Sequence, residues 1–310
     1  MSNSATPHIV GIGELLWDIL PSGPRLGGAV ANLSVLCARL GDNAALITSI
    51  GNDGYGNAAI QQLTQPDLDL HLIQTDPTHP TGTVEVSFNN GQPSYTISPG
   101  VAWDFIQTTP EIIEAAQTAD AICFGTLSQR HEVSRATIRS FVSSTPPACI
   151  RVCDVNLRKP HYSAEILDWS LSHATIIKIS DEELQQVFSL LGKPEASLEP
   201  QDAANLLLNL FPECQLIAMT LGPKGCLLTT RNEVAAHPGF PIQVVDTVGA
   251  GDAFTAGLIF AYLRGAPLPV VAMIGNLCGS FVASESGATP PLTVELIGKI
   301  DVLLQPYAET

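Results

Sequence analysis

Short apolar runs alternate with segments of helical periodicity along nearly the whole chain. The first run, His8–Gly13, predicts a strand, and Leu33, Leu36 and Leu40 lie on one face of a helix predicted over Gly28–Leu40. Further strands are predicted at Ala44–Ile50, Ala121–Phe124, Ile150–Asp154, Thr175–Ile179, Leu216–Thr220 and Ile242–Val245. Further helices are predicted at Tyr55–Leu63, Glu132–Ser143, Asp181–Leu191, Asp202–Leu210, Ala250–Leu263 and Pro269–Ser284.

This alternation is typical of an α/β protein with a doubly wound, mostly parallel central sheet that carries helices on both faces. The chain has 310 residues. A chain of this size buries roughly 75% of its unfolded surface, which is enough for one large core. We therefore expect a single domain over residues 1–310.

One region departs from the alternation of strands and helices. Thr83–Phe88 and Ser94–Ile97 each alternate apolar and polar residues, and an Asn-Asn-Gly sequence separates them. Asn-Gly between two such runs predicts a β-hairpin. With Glu14–Leu20, this hairpin could form a small sheet that projects from the core. The segments at about 14–27 and 82–104 would then be a lid over the carboxyl ends of the parallel strands, or an ordinary edge structure.

The charge balance limits the classes of partner. The chain carries 14 Lys and Arg against 30 Asp and Glu, a formal net charge of −16, and 45% of its residues are hydrophobic. This composition is too apolar for a disordered chain. It also argues against nucleic acid as a partner, because phosphate-backbone binding needs clustered Lys and Arg. Binding of a single phosphate group by backbone N–H groups remains open.

The apolar runs and the cysteines indicate where the protein works. No apolar run approaches the roughly 18 residues that a membrane span needs, so we expect no membrane association. The seven cysteines lie mostly in apolar runs, form no C-x-x-C pair and are odd in number. This usage favours buried free thiols in a reducing compartment, and we expect a cytoplasmic protein.

The sharpest motif is the run from Asp246 to Asp252, D-T-V-G-A-G-D, which opens a strongly apolar helix. Its small residues Gly249, Ala250 and Gly251 let a ligand approach the backbone closely. Free N–H groups of the first helical turn, with the positive end of the helix dipole behind them, favour an anion or the charge that develops during phosphoryl transfer. Asp252 could accept the proton of an attacking hydroxyl. The alternative is a glycine-containing turn with Asp252 as an ordinary capping residue.

A second motif, G-G-A-V-A-N at Gly27–Asn32, runs into the first predicted helix. Asn32 offers both a donor and an acceptor, which suits sugar hydroxyls. Asp18, after the first strand, is an acceptor that could hold two hydroxyls. The alternative is a tight turn followed by a helix-entry Asn.

Together the two motifs resemble the N-terminal and C-terminal signatures of the ribokinase family of sugar kinases, also called the PfkB family, and the resemblance covers nearly the whole chain. Asp154–Arg158, D-V-N-L-R, is similar to the D-P-N-L-R of fructokinase-like and 2-keto-3-deoxygluconate kinase-like members, with Val155 in place of proline. Thr220–Cys226, T-L-G-P-K-G-C, resembles the T-L-G-x-x-G segment beside the nucleotide. With Glu14–Asp18, these residues favour the fructokinase-like branch.

The resemblance implies a ribokinase-like fold with a small β-sheet lid, and it implies roles for particular residues. Asp252 would be the catalytic base, and the anion hole would be formed by Gly249, Ala250 and Gly251. The sugar would be held by Asp18, Gly28 and Asn32. The nucleotide site would be lined by Thr220, Gly222, Gly225 and Asn276. Glu183 would be linked to Mg²⁺ through water, and a monovalent cation, K⁺, would be bound by Asp246, Val248, Val282, Glu285 and Gly287.

The chain departs from the family pattern in three places. Ser180 stands where the family's N-x-x-E motif has Asn, the segment Pro21–Gly27 is short for a fructokinase, and Ser98–Asp104 lacks an Arg that many fructokinases place there. Arg158 would supply positive charge to the cleft instead, or it is a solvated residue after a strand. Gln129 and Arg130 could also reach the sugar, or they merely start a helix.

The resulting hypothesis is a kinase that transfers the γ-phosphate of ATP to a primary hydroxyl of a free sugar, with fructose as first choice. A 2-keto-3-deoxygluconate kinase and a nucleoside or ribose kinase are the alternatives within the family. A catalytically silent sugar or nucleotide sensor is the rival from another class, although a sensor has no need of a base at Asp252. The expected partners are the sugar and ATP, and a homodimer through the lid sheet is open.

Overall fold

The structure, a computed structural model, describes residues 6–89 and 92–307. Its strands form a nine-stranded sheet and a separate four-stranded sheet. The strands are β1 (His8–Ile12), β2 (Leu16–Leu20), β3 (Gly23–Gly27), β4 (Asn43–Gly51), β5 (Ile73–Asp76), β6 (Gly82–Asn89), β7 (Gln92–Ile97), β8 (Ala121–Gly125), β9 (Ile150–Asp154), β10 (Ile176–Ser180), β11 (Leu216–Thr220), β12 (Cys226–Thr229) and β13 (Val234–His237).

The large sheet has the order β13-β12-β11-β10-β9-β8-β1-β4-β5. Every neighbouring pair from β11 to β5 is parallel, and β12 and β13 add an antiparallel edge. The central strands are apolar on both faces, as expected for a parallel sheet that helices cover on both sides. The predicted doubly wound, mostly parallel sheet is confirmed.

The described part of the chain contains ten α-helices, of which the last three follow the final strand. They are α1 (Ala29–Leu40), α2 (Gly54–Leu63), α3 (Pro110–Thr118), α4 (Glu132–Ser143), α5 (Ala164–Ser172), α6 (Leu184–Leu190), α7 (Pro200–Leu210), α8 (Ala250–Leu263), α9 (Leu268–Ala283) and α10 (Val294–Leu304). Two apolar clusters divide them between the faces of the sheet: α1, α2, α8, α9 and α10 contribute to one, and α3 to α7 contribute to the other.

The small sheet has the order β3-β2-β6-β7. The predicted hairpin corresponds to the antiparallel pair β6 and β7, and β2 joins it in parallel with β6. The predicted turn residues Asn90 and Gly91 lie outside the described residues. Trp17 on β2 is buried, packs against Tyr55 with ring centroids 5.6 Å apart and donates its indole N–H to the Tyr55 carbonyl. The sheet is therefore separate from the main one but packed on its helical layer.

Two predicted elements differ from the observed ones. The strand predicted at Ile242–Val245 is wrong: Val244 and Val245 are 58% and 61% exposed, and the Val245 N–H donates to the Ala283 carbonyl at the end of α9 rather than to a strand. The helix predicted from Asp181 begins as a single 3₁₀ turn, with α6 following from Leu184. β-branched residues favour a strand only where a sheet edge can receive them.

Two further sequence predictions concern the chain as a whole. All seven cysteines are buried and unpaired, as their usage predicted. Within residues 6–89 and 92–307, no helix combines the length and the apolar character that a bilayer span requires.

A buried ion pair links the C-terminal ends of α1 and α8, whereas the two glycine-containing motifs lie at the N-terminal ends of these helices. Asp42 follows the C-terminus of α1 and its side chain is fully buried, and Arg264 at the end of α8 donates to its Oδ1 at 2.8 Å. Burial raises the pKa of Asp42, and the Arg264 guanidinium opposes that shift. Removing the guanidinium would leave a buried carboxylate without its countercharge, which is strongly destabilising.

We expect Arg264→Met to lower the free energy of unfolding by roughly 2–4 kcal/mol at pH 7, somewhat less than for a fully buried pair because 27% of the Arg264 side chain is exposed. Urea denaturation measures the effect. The control is Lys299→Met, which removes an exposed pair with Glu295 at 2.7 Å and should leave the free energy of unfolding nearly unchanged. Equal effects of the two substitutions would contradict the importance of the buried pair.

Candidate active site

The sequence motifs converge at the carboxyl edge of the parallel strands. Asp154 ends β9, Ser180 ends β10 and Thr220 ends β11. In register, Ser180 is paired with Thr220, and Asp154 with Lys178. The carboxyl ends of parallel strands form the usual ligand crevice of open α/β sheets, and the N-terminal motif of α8 lies at the same crevice.

The N-terminus of α8 presents backbone amides to this crevice. Gly249 is the N-cap and has φ +79°, and a Cβ there would lie 2.5 Å from the Ala288 carbonyl oxygen, so only glycine fits. The Ala250 N–H donates to the Thr247 carbonyl at 3.2 Å. No acceptor is recorded within the described residues for the N–H of Gly251. The amide of Gly251 is therefore better placed than that of Ala250 to receive an anion.

Asp252 follows Gly251 in α8, and a side chain of α1 forms a hydrogen bond with its carboxylate. The Asn32 side-chain amide donates to Asp252 Oδ2 at 2.8 Å, across 220 positions of sequence. Asp252 makes no capping hydrogen bond to its own helix, and Asn32 lies inside α1 rather than at its N-cap. Neither side chain caps its own helix, and the two side chains are hydrogen-bonded to each other instead.

The surroundings of Asp252 favour its neutral form. Burial and the negative charge of Asp154 raise its pKa to about 7, against the opposing effects of the Asn32 hydrogen bond and the Lys178 ammonium. Glu14 adds a weaker like-charge effect in the same direction. A carboxylate whose pKa lies near the working pH is suited to general-base catalysis.

Lys178 lies in this crevice and was not predicted from the sequence as a site residue. Its ammonium donates to Asp154 Oδ1 at 3.0 Å, and both side chains are buried. A Cβ on Gly251 would lie 3.1 Å from Lys178 Nζ, so the ammonium adjoins the start of α8. The signal in the sequence was a single Lys inside the apolar strand Thr175–Ile179, where a charge requires a buried partner.

Glu183 connects two of the strand ends. Its Oε1 accepts the Leu157 N–H at 2.7 Å, and its Oε2 accepts the Ser180 N–H at 2.9 Å and the Ser180 hydroxyl at 2.8 Å. The serine that replaces the family's Asn therefore binds the glutamate of the same motif. This contact fixes the D-V-N-L-R segment against the end of β10.

The carboxylates of the crevice can be compared with the needs of Mg²⁺. Within residues 6–89 and 92–307, no group of three His, Cys, Asp or Glu side chains is close enough to form a metal cage. Mg²⁺ in phosphoryl-transfer sites is held by one or two carboxylates together with substrate phosphates. Asp154, Glu183 and Asp252 all act electrostatically on Lys178, so a carboxylate-rich crevice is present. Because Asp154 is paired with Lys178 and both Glu183 oxygens accept protein hydrogen bonds, these carboxylates fit a magnesium ion that arrives with the nucleotide and is contacted through water, not one held in a protein cage.

The residues predicted to hold the sugar lie on β2, at the N-terminus of α1 and in the loop after β9. Burial raises the pKa of Asp18 on β2, and the positive charge of Arg158 opposes this rise. Gly28 is the N-cap of α1, and Asn32 is in the first turn of that helix. Arg158 is exposed, and no ion pair is recorded for it within the described residues. Its charge also acts on Glu14 and Asp154, so it faces the crevice rather than bulk solvent alone.

Gln129 and Arg130 are engaged inside the protein. The Gln129 amide donates to the Gly125 carbonyl at 2.9 Å and to the Ser170 hydroxyl at 2.8 Å. Arg130 donates to both oxygens of Asp104 at 2.8 Å, and to the Ser98 carbonyl at the base of the small sheet. Arg130 thus anchors the segment after β7, whereas Gln129 links the end of β8 to α5; both residues lie before α4, which begins at Glu132.

The predicted nucleotide residues fall into two groups. Thr220 ends β11, and Gly222 has open space where a side chain would stand. Gly225 is packed against the backbone of His237, and the Asn276 amide donates to Cys226 Sγ at 2.9 Å and to the Ala272 carbonyl at 2.8 Å. Thr220 and Gly222 therefore face accessible space, whereas Gly225 and Asn276 are held in intramolecular contacts.

The five residues predicted to bind a monovalent cation lie in two adjoining segments. The Val245 and Asp246 N–H groups both donate to the Ala283 carbonyl, which brings residues 246–248 against residues 282–287. Asp246 Oδ1 accepts the Val248 N–H at 3.1 Å, and Oδ2 accepts the Arg25 guanidinium at 3.1 Å and the Gly287 N–H at 3.4 Å. The Asp246 carboxylate is thus already partnered, and the carbonyl of Val282 accepts the Glu285 N–H at 3.0 Å.

Comparison with known proteins identifies the family to which the chain belongs. The model for "pfkB family carbohydrate kinase" matches residues 24–295. Fructokinase of Salmonella typhimurium is 30% identical over 302 residues, covering 91% of this chain and 94% of that protein. Fructokinase of Klebsiella pneumoniae is 29% identical over 306 residues, covering 91% and 94%.

Solved structures give the same answer for the fold. An uncharacterized sugar kinase of Pyrococcus horikoshii, in complex with ATP, superposes with TM-score 0.76 at 28% identity, covering 91% of this chain and 95% of that one. Fructokinase of Vibrio cholerae with fructose, ADP and calcium bound superposes with TM-score 0.80 at 22% identity, covering 95% and 99%. The fold is ribokinase-like, and the chain belongs to the pfkB family of carbohydrate kinases and is a sugar kinase.

Proposed function

We propose that this sugar kinase transfers the γ-phosphate of ATP to a primary hydroxyl of D-fructose. Fructokinases are among the relatives at 29–30% identity, and Glu14–Asp18 and Asp154–Arg158 are similar to that branch. The observation that carries the chemistry is the Asn32–Asp252 hydrogen bond of 2.8 Å, which holds a carboxylate beside the N-terminus of α8. The catalytically silent sensor has no use for that arrangement.

Asp252 is the proposed base. Because Asn32 occupies Oδ2, the other oxygen is available to accept the proton of the sugar hydroxyl. A pKa of about 7 leaves a substantial fraction ionised at neutral pH and still gives a base strong enough to take the proton in the transition state. General-base help of this kind contributes about 10²–10⁴-fold to the rate.

The start of α8 is the proposed anion hole. The Gly251 amide, supported by the amide of Gly249 and the positive end of the helix dipole, would stabilise charge on the transferred phosphoryl group. A magnesium ion bound with ATP would offset the negative charge of the phosphates. Thr220 and Gly222 would lie along the nucleotide, and Glu183 would act toward the metal through water while it holds Ser180 and Leu157 in place.

Sugar binding is proposed to involve Asp18, Gly28, Asn32 and Arg158. Asp18 lies on β2 of the small sheet, whereas Gly28 and Asn32 belong to α1, so a sugar between them would contact both layers. We infer that the small sheet is the lid of the site, since it would exclude water that otherwise competes as phosphoryl acceptor. A monovalent cation such as K⁺ could bind at residues 246–248 and 282–287 through backbone carbonyls, with Asp246 shared with Arg25.

Asp252→Asn should retain ATP and sugar binding and lose nearly all turnover, because the amide keeps the shape of the carboxylate and accepts no proton. We expect kcat to fall at least 10²-fold, with dissociation constants for ATP and sugar within about threefold of wild type. A coupled ADP-release assay and isothermal titration calorimetry measure the two quantities. The matched control is Asp301→Asn, on the exposed face of α10. Near-normal kcat in Asp252→Asn would remove the proposed base.

The pH dependence follows from the raised pKa of Asp252. The base works only when ionised, so kcat/KM for the sugar should fall tenfold per pH unit below about pH 7 and should level off above it. A pH profile measured with saturating magnesium and ATP tests this. A flat profile between pH 5.5 and 8 would contradict the assignment.

Ionisation of Asp252 should increase activity but decrease the stability of the folded chain. Because the pKa of Asp252 is higher in the folded chain than in the unfolded chain, the folded state binds more protons between about pH 4 and pH 7, and stability decreases as pH rises through that window. Asp252→Asn removes this penalty. The difference in Tm between the variant and wild type should therefore become more positive from pH 5 to pH 8.

Fructose is tested by a panel of substrates. Fructose, 2-keto-3-deoxygluconate, ribose and a set of nucleosides are compared by ADP release, with and without potassium. We expect the highest kcat/KM for fructose. Absence of fructose turnover alongside activity on another member would overturn fructose while leaving the kinase chemistry intact.

A further inference from the structure

Lys178 is buried in the strand layer and yet carries a charge. It lies on β10, its residue exposure is 8%, and its ammonium pairs with Asp154 at 3.0 Å. Burying an ion pair gains little stability, because desolvation offsets the attraction between the charges. Stability of the sheet alone therefore gives no reason for a lysine at this position.

The hydrogen bonds of Lys178 are incomplete. An ammonium has three N–H donors, and within the described residues Asp154 is the only side chain recorded as an acceptor for Nζ. The remaining donors lie next to Gly251, since a Cβ on that glycine would be 3.1 Å from Nζ. The Gly251 N–H also has no recorded acceptor there. An ammonium and a backbone amide without full partners thus border the same space.

The carboxylates around Lys178 favour a positive charge at the position of its ammonium group. Asp154, Glu183 and Asp252 all act on it, and together they outweigh the effect of burial and raise its pKa. Without the ammonium, the like charges of these carboxylates would repel an incoming phosphate chain. The ammonium therefore adds attraction where the proposed phosphoryl position adjoins the base.

We propose that Lys178 Nζ donates a hydrogen bond to an oxygen of the phosphoryl group during transfer, beside the Gly251 amide, with Asp154 as the positioning residue. The inference rests on the proposed placement of the phosphoryl group at the start of α8. No bond of the lysine is made or broken. Its ammonium stabilises the charge on the phosphoryl oxygens, as cationic clamps do in other phosphoryl-transfer sites.

The test removes the ion pair as a unit. Lys178→Met alone leaves a buried Asp154 carboxylate and could unfold the chain, so the principal variant is Lys178→Met with Asp154→Asn, which leaves no unpaired charge. We expect this double variant to fold, with kcat lowered about 10²–10³-fold and KM for the sugar within about threefold. A merely structural ion pair would change Tm and leave kcat unchanged.

A binding measurement separates the transition state from the ground state. Calorimetry measures the dissociation constant of magnesium ADP, with the sugar that the panel selects, in the absence and presence of aluminium fluoride as a mimic of the transferred phosphoryl group. Wild type should bind ADP more tightly when aluminium fluoride is present. The double variant should bind ADP normally and lose most of that gain, and an equal gain in both proteins would overturn the proposal.

Two controls keep the outcomes distinct. Lys299→Met removes an exposed lysine on α10 and should leave kcat and the aluminium fluoride effect unchanged. Asp252→Asn is measured in parallel. If Asp252→Asn is inactive and the double variant has normal kcat, the role of Lys178 is wrong and the proposed function stands. If Asp252→Asn turns over normally, the proposed base is wrong, and the result for the double variant still decides the role of Lys178.

Discussion

The hydrogen bond from Asn32 to Asp252 is the contact on which the arrangement of the crevice depends. It joins α1 to α8 and brings the N-terminal motif to the C-terminal motif, which are 220 residues apart in sequence. Both helices belong to the apolar cluster on one face of the main sheet. The packing of α1 and α8 fixes the distance between the two side chains. The geometry of the site therefore depends on the packing of the core.

The parallel sheet supplies the second constraint. Its strands all end at one edge, so Asp154, Ser180 and Thr220 are brought together by register rather than by loop conformation. Residues on rigid strand ends hold their geometry better than residues on loops. The small sheet carries Asp18 and Arg25, and the Arg25–Asp246 pair at 3.1 Å links it to the segment before α8. The crevice is thus built on fixed strand ends, with the small sheet joined to the segment that leads into α8.

Much of this could be predicted from the sequence, for identifiable reasons. Helical periodicity located α1 and α4, the long apolar run after the Asp246–Asp252 motif located α8, and the Asn-Gly signal located the pair β6 and β7. The reading failed where periodicity was short: the apolar residues Ile242–Val245 form no strand, and α3, α5 and α10 were not predicted. It also missed Lys178, because a lysine in a strand has no sequence signal for its partner until register places Asp154 opposite it.

The most direct test of the central claim is a crystal structure with magnesium, ADP, aluminium fluoride and fructose bound. The account predicts that the fluoride group accepts a hydrogen bond from the Gly251 amide, and that a primary hydroxyl of the sugar lies within about 3 Å of the free oxygen of Asp252. An Asp252 carboxylate turned away from the sugar, or a fluoride group remote from the start of α8, would contradict it.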